Sequence, residues 1–450
     1  MLPTAVLSSL PKVHTSTETP LSPICPLHQP HRCPQNLASL GLSFWGVGLL
    51  SFEALAHIGA GLCLLAVFWA RPPWTQLKKA AHAWRWLLAF ILWACLGPWC
   101  LGYVPKGSGV GRLLLLLALP VAAYAFFLAG PKWTQRVLLG SMALWLLSCL
   151  VAAFQHFGLW PSEEWFSSLP PLKSNFYRVY EEVPGQPGRY MAGGLLFHRL
   201  KFATVGSLFS LLSLGLALFS TQHRWHWVAV CVLGAFSVVW FPFARMAALS
   251  LCLALAFQLL LGMPKRKLAL LCVCGLVLAS ALALTLNEGL RHRVVSSLSN
   301  AGSGNRIALW HSGWRAVQSS PLVGVGAGKF RPAAFPSEDM PSTVKEHPGK
   351  AHNQALTVAA ESGLLGLLLA FMAFFSLAKN FWRQQHFGTT GLSILLFFAL
   401  LSLMHDPLFQ DVIILAFTWA AGVCLALAKP TVAKAAHPQK PTSAPSASPP

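Results

Sequence analysis

Twelve apolar runs of about 16–24 residues leave this chain few ways to fold, because that is the length a helix needs to cross a bilayer. They fall near residues 38–52, 53–70, 86–103, 111–129, 136–156, 203–220, 225–241, 244–262, 267–286, 354–377, 391–405 and 409–428. The first pair admits a second reading, since Leu40 to Ala70 could form one tilted span with a flank. Only 10% of the 450 residues are charged and the mean hydropathy is +0.57. Water-soluble domains carry roughly 25% charged residues. The expected fold is an all-α polytopic membrane protein of about 12 transmembrane helices.

Lysine and arginine set the orientation. One alternate set of loops holds Arg71, Lys78, Lys79, Arg85, Lys132, Arg136, Arg224, Lys265, Arg266, Lys267, Lys379 and Arg383. The short loops of the other set hold only Lys106, Arg112 and Arg245. The positive-inside rule then puts both termini in the cytoplasm. Two long loops, 157–202 and 288–353, lie outside, the later one large enough to contain short helices. The acids agree: of thirteen, all but Glu18 fall on the outer side. Residues 1–36 and 429–450 read as disordered cytoplasmic tails around a transmembrane domain at 37–428. The first tail lacks the apolar core and cleavage site of a secretory signal.

The net charge of +20 is thus partly topogenic, and no soluble basic module exists to bind nucleic acid. Topology leaves the outer loop 288–353 unexplained. It carries Arg291, Arg293, Arg306, Arg315, Lys329, Arg331, Lys345 and Lys350 against Glu288, Glu338, Asp339 and Glu346, a net charge of +4. Cations on the translocated side oppose the usual bias and point to an anionic ligand. Nine of the eleven cysteines lie in apolar runs, as small fillers. Cys25, His28, His31 and Cys33 sit in a Pro-rich tail without recognised metal-site spacing. Asp-x-Asp, HExxH, Walker, GxSxG and dinucleotide signatures are all missing, and clustered carboxylates are scarce. No metal or cofactor is expected.

Four groups on the outer face carry the chemistry. His352 would stand at the N-terminus of a helix beginning near Asn353, where the helix dipole disfavours imidazolium and keeps a neutral base near pH 7. An interfacial histidine that only caps the helix fits the same residues. Ala355, Ala359, Gly363 and Gly366 follow as a small-residue stripe suited to helix packing. Glu361, within that helix, would pair with a basic residue of the site or satisfy a polar neighbour. Arg245 ends the short turn Phe241-Pro242-Phe243-Ala244-Arg245, where it can bind phosphate bidentately or snorkel to headgroups. In the long loop, Ile307, Trp310, Trp314 and Val317 share one helical face, with His311, Arg315 and Gln318 on another. Pro321 to Phe330 then reads PLVGVGAGKF, a turn whose glycines could also bring amides near a phosphate. The first outer loop adds Arg178, Arg189, His198, Arg199 and Lys201 with Glu163, Glu164, Glu181 and Glu182, without a motif.

Three ordered motifs resemble the O-antigen ligase and polymerase superfamily. They are Asn305-Arg306-x-x-Leu309-Trp310, Pro321-Leu322-Val323-Gly324-Val325-Gly326-x-Gly328-x-Phe330, and Ala351-His352-Asn353-x-x-Leu356 continuing to Ala360-Glu361-x-Gly363-x-x-Gly366. The resemblance implies a donor glycan on undecaprenyl pyrophosphate in the periplasmic leaflet of a bacterial inner membrane. His352 matches the family's essential histidine, Arg306 its Asn-Arg, and Arg245 an arginine after a short outer turn, with Ala244 replacing the usual serine. Arg189, Arg315, Asn353 and Glu361 are supporting candidates on the same face. The implied chemistry is a metal-independent, inverting glycosyl transfer, with His352 as general base and Arg245 and Arg306 holding the donor pyrophosphate. The chain ends some twenty residues past its last span, which favours the ligase, with lipid A-core as acceptor, over family members that glycosylate protein. A polymerase or a pilin-type oligosaccharyltransferase would share the donor. A lipid or ion transporter would place charges near the bilayer midplane rather than at one face.

Overall fold

The computed structural model describes residues 32–72, 82–161, 180–220, 223–298, 300–334, 350–384 and 386–427. Helix makes up 79% of the structure, so the backbone hydrogen bonds close almost entirely within segments, as hydrocarbon demands. The helices are α1 (Arg32–Gly48), α2 (Glu53–Trp69), α3 (Arg85–Cys100), α4 (Gly107–Leu115), α5 (Ala118–His156), α6 (Arg199–Phe219), α7 (Arg224–Trp240), α8 (Arg245–Gly262), α9 (Arg266–Leu286), α10 (Glu288–Leu298), α11 (Asn300–Ser319), α12 (Phe330–Ala334), α13 (Gln354–Trp382), α14 (Phe387–Ser402) and α15 (Asp411–Leu427). The one sheet among the described residues is a hairpin of β1 (Glu182–Val183) and β2 (Gln186–Tyr190).

Five segments are long and apolar enough to cross a membrane: Gly107–His156, α6, α8, α9 and α13. Shorter apolar helices at Glu53–Trp69, Arg85–Leu101, Arg224–Trp240, Phe387–Ser402 and Asp411–Leu427 accompany them. The chain is an all-α, multi-pass membrane protein. Leu40 to Ala70 forms two helices packed on each other, not one tilted span. Helix α1 begins at Arg32, inside the stretch that composition reads as tail. Cys25, His28 and His31 lie outside the described residues.

Two long helices are broken, each at a glycine. Gly130 has φ 76° and ψ 171° and precedes Pro131, which can neither donate a hydrogen bond nor continue the ladder. Thr134 Oγ1 reaches Phe126 O at 3.4 Å across this break, whereas eight residues of straight helix would separate them by about 12 Å. Helix α5 is therefore two limbs folded sharply at Gly130. In α13 the break is Gly363, with φ 72° and ψ 178°. The stripe of small residues around it thus does more than pack: Gly363 turns the chain.

The core centres on α6, whose crossing segment is 89% buried, while that of α9 is only 6% buried. Trp145, Phe202, Phe209, Phe126 and Trp419 pack there, with Phe209 stacked on Trp419 at 5.6 Å. Ser207, Ser210 and Ser213 return their hydroxyls to carbonyls four residues back, which lets neighbouring helices approach closely. Between helices, Gln258 Nε2 bonds Leu211 O and Thr390 Oγ1.

Helix ends meet at one end of the bundle. Lys201 at the start of α6 pairs with Glu53 at the start of α2. Arg112 in α4 lies 3.4 Å from Asp411 at the start of α15. The starts of α8 and α13 come to the same end, and this is where the functional residues collect.

Candidate active site

His352 stands just outside α13, in the left-handed conformation with φ 52°. Few residues other than glycine adopt it, and such residues concentrate at functional sites. Asn353 is the helix cap: its side chain accepts the Leu356 N–H at 3.0 Å and donates to Leu403 O at 3.3 Å. The imidazole is thereby relieved of capping, one of the two roles its sequence position allowed.

The backbone around His352 is clamped. Ala351 N–H donates to Thr357 Oγ1 at 3.1 Å, and that hydroxyl donates to Asp406 Oδ1 at 2.6 Å. The His352 amide faces the same Asp406 carboxylate. Gln354 Oε1 accepts the Leu408 N–H at 2.9 Å. The first turn of α13 is thus bolted to the turn between α14 and α15, which brings His405 edge-on to His352, with ring centroids 6.4 Å apart.

Cations surround the pair. Arg306 and Arg199 act on Arg245 as like charges, and Arg306, His352, Lys350 and Arg199 all act on His405. Burial and those positive neighbours push His405 down to about 3, so its ring is neutral at working pH. Burial raises Asp406 to about 6, opposed by its Thr357 bond and Lys350. Burial also lowers Lys350 and Arg306. The cluster is half-buried and its cations outnumber its acids, Asp406 and the Glu181 carboxylate 3.6 Å from Arg199, so it carries an excess of positive charge that an anion would fill.

The structure therefore brings His352, Arg245 and Arg306 together, from three separate parts of the chain. Arg189 is not among the charges that act on Arg245 or His405; its guanidinium lies 4.4 Å over the Phe157 ring, beside a 370 Å³ pocket with His156, Gln186, Trp240 and Asn287. Arg315 is exposed and bonds Ser312 one turn back at 3.1 Å. Arg178, Glu163, Glu164, Glu338, Asp339, Lys345 and Glu346 fall outside the described residues. In α11 the packed face is Leu309, Gly313, Ala316 and Val317, while Ile307 and Trp314 stay exposed. Trp314 and Ile307 thus face outward rather than into the core.

The glycine-rich turn does not offer its amides to a ligand. Gly324 N–H bonds Ser320 O, Val325 N–H bonds Ala360 O and Gly326 N–H bonds Glu361 O, each at 2.9 Å. The amides of Gly328 and Phe330 face the Glu361 carboxylate. An arrangement that could cradle phosphate is filled by the chain's own anion.

Sequence reading overlooked His405, Asp406, Thr357 and the parts played by Lys350 and Arg199. The available signal was Met404-His405-Asp406-Pro407, two ionisable residues in a short turn between apolar runs. An apolar groove of about 380 Å³ between α3, α13 and α14 runs from Asn380 to Asn353, next to His352. Among the described residues, no three His, Cys, Asp or Glu side chains group as a metal site requires.

Residues 208–371 match the family model for O-antigen ligase. The chain carries a domain of the O-antigen ligase and polymerase superfamily. Its function is of the O-antigen ligase or polymerase type, a glycosyltransferase-like activity. No curated protein matches the chain. The matched segment holds Arg245, Arg306, His352 and Glu361 but ends before His405 and Asp406.

Proposed function

We propose that the protein is an O-antigen ligase, moving a glycan from undecaprenyl pyrophosphate to lipid A-core at the periplasmic face of the inner membrane. On this reading the chain crosses twelve times, counting both limbs of α5, with both termini in the cytoplasm and the His352 end outside. The lysines and arginines of the short loops support that orientation. The single observation that carries the reading is the convergence of His352 with Arg245 and Arg306 at one end of a membrane bundle. His352 removes the proton of an acceptor hydroxyl as its oxygen attacks the anomeric carbon. The bond from that carbon to the pyrophosphate oxygen breaks, inverting the centre, and the charge grows on undecaprenyl pyrophosphate. Arg245 and Arg306, with Arg199 close by, are fixed donors for that growing charge. Guanidinium groups thus supply what a divalent cation supplies in other pyrophosphate-releasing transferases, and the transfer is metal-independent. Holding both lipid-borne substrates at one surface supplies much of the remaining rate. The apolar groove ending at Asn353 suits the hydrocarbon part of such a substrate.

A polymerase or a pilin-type oligosaccharyltransferase would use the same donor and the same base. The lipopolysaccharide banding of a deletion strain separates them. A ligase deletion leaves lipid A-core without attached glycan, and complementation with His352→Ala fails to restore it. Normal attachment with His352→Ala removes the base assignment, and unmodified pilin with normal lipopolysaccharide identifies the protein oligosaccharyltransferase. Flux of a lipid without any glycan transfer would indicate a transporter.

A further inference from the structure

At the eighth residue of α13, Glu361 is half-buried, its Oε1 is shut off from solvent without a hydrogen-bond partner, and the proposed transfer makes no use of it. Helix geometry puts it about 13 Å from His352, too far to touch reacting atoms. We propose that Glu361 is a positioning residue for His352, acting through the strap Pro321–Phe330; this rests on His352 being the base.

The break at Gly363 leaves helix amides and carbonyls without partners on both sides, and the strap supplies them. Leu364 N–H bonds Pro321 O at 2.8 Å and Leu365 N–H bonds Leu322 O at 3.4 Å. On the other side Val325 and Gly326 donate to Ala360 and Glu361 carbonyls, both at 2.9 Å. These backbone bonds hold only the first half of the strap. The second half bends back through Gly326 and Gly328, with φ 99° and 75°, and Lys106 N–H secures Ala327 O at 2.8 Å. There the Glu361 carboxylate gathers the amides of Gly328 and Phe330. Phe330 is fully buried, in one hydrophobic cluster with Ala351, Ala359 and Ala360. Ala351 directly precedes His352. One packed cluster therefore links the segment that Glu361 holds to the residue just before the imidazole. Removing the carboxylate leaves two inward amides unpaired and frees the wall behind Ala351. His352 keeps its left-handed conformation only while its surroundings impose it.

The test compares wild-type full-length protein with Glu361→Ala, Glu361→Gln and Ser362→Ala, reconstituted in lipid nanodiscs. Two readouts are taken: hydrogen exchange, and transfer kinetics with undecaprenyl-pyrophosphate glycan and lipid A-core. For Glu361→Ala, kcat falls about tenfold or more while KM for both substrates stays within about twofold. Exchange accelerates at residues 324–330 and also at 350–357, and is unchanged in α6. Glu361→Gln retains one acceptor and falls between, and Ser362→Ala behaves as wild type. Unchanged kcat in Glu361→Ala, a loss carried by KM, or faster exchange confined to 324–330 overturns the proposal. Should Glu361→Ala not accumulate, wild-type exchange at 350–357 in Glu361→Gln overturns it. Normal transfer by His352→Ala instead removes the base reading, and the exchange result still stands by itself.

Discussion

The Thr357 hydroxyl donates to Asp406 at 2.6 Å, joining the first turn of α13 to a turn forty-nine residues later. The same oxygen accepts the Ala351 amide at 3.1 Å, so one hydroxyl fixes the backbone on both sides of His352. With the strap behind Ala351 and the Asn353 cap, His352 is held from three directions. A base must keep its orientation through proton transfer, and this is how a short peptide at a helix start does so.

Thr357→Val keeps the shape and removes that hydroxyl. It leaves a buried carboxylate oxygen and the Ala351 amide unpaired, each costing about 1–3 kcal/mol. The expected outcome is a lower Tm and a kcat reduced about tenfold or more, with KM little changed. Thermal melting and steady-state transfer measure both. A variant of wild-type kcat would show that His352 needs no such clamp.

His405 and Asp406 should give stability opposite slopes with pH. Burial and positive neighbours hold His405 near 3, whereas the unfolded chain titrates near 6.5. As pH falls from 6.5 toward 3 the unfolded chain takes a proton that the folded one refuses, so stability is lost. Asp406 is raised to about 6, against about 3.9 unfolded. Between those values the folded state keeps a proton that the unfolded chain has released, so stability falls as pH rises. The two slopes oppose each other from about pH 4 to 6. His405→Asn should therefore melt at higher temperature as the buffer is taken from pH 6 to 4, relative to wild type. Asp406→Asn should lose stability more steeply over the same range. Parallel melting curves for all three proteins would contradict these protonation states.

Much of this was legible in the sequence. Every apolar run falls on a helix, since length and hydropathy decide that locally. The ordered motifs from Asn305 to Gly366 named the superfamily that the family match then showed. What sequence could not supply was pairing across long separations. Asp406 gains its role only from Thr357 and His352, and nothing near it in the chain announces them. Arg199 sat in a loop of mixed charge, where a run of acids and bases without a motif does not single out one guanidinium. Gly363 read as packing because a stripe of small residues looks alike whether or not its backbone is helical. Glycine permits both, and only the strap across it decides.

Replacing arginines should separate the two groups on the outer end. Arg245 and Arg306 share the cluster with His405, so lysine in place of either loses the bidentate geometry while keeping charge. Transfer should fall about tenfold to a hundredfold in Arg245→Lys and Arg306→Lys, and further in the alanine variants. Arg189→Ala and Arg315→Ala, which remove residues on Phe157 and Ser312, should lower transfer by less than about threefold. Equal losses at all four positions would argue against a confined pyrophosphate site.

Gly363→Ala tests whether the break in α13 is required. A Cβ there would overlap the carbonyl of Leu322, and φ 72° with ψ 178° is a conformation reserved almost wholly for glycine. The variant must either unbend the helix, expelling the strap from its bonds to Leu364 and Leu365, or carry strain of about 1–3 kcal/mol plus the overlap. Both routes release the half-helix that begins beside His352. The expected result is a lower Tm, faster exchange at 321–326 and transfer reduced at least as far as in Thr357→Val. Gly366→Ala lies on the same stripe without the positive φ; its Cβ would crowd the Ser362 Cβ, which no rotamer relieves, as well as Trp93, so the helix must shift there, but no backbone carbonyl of the strap is displaced. It should retain more activity than Gly363→Ala, and the reverse order would mean that helix packing, not the break, is what the glycines serve.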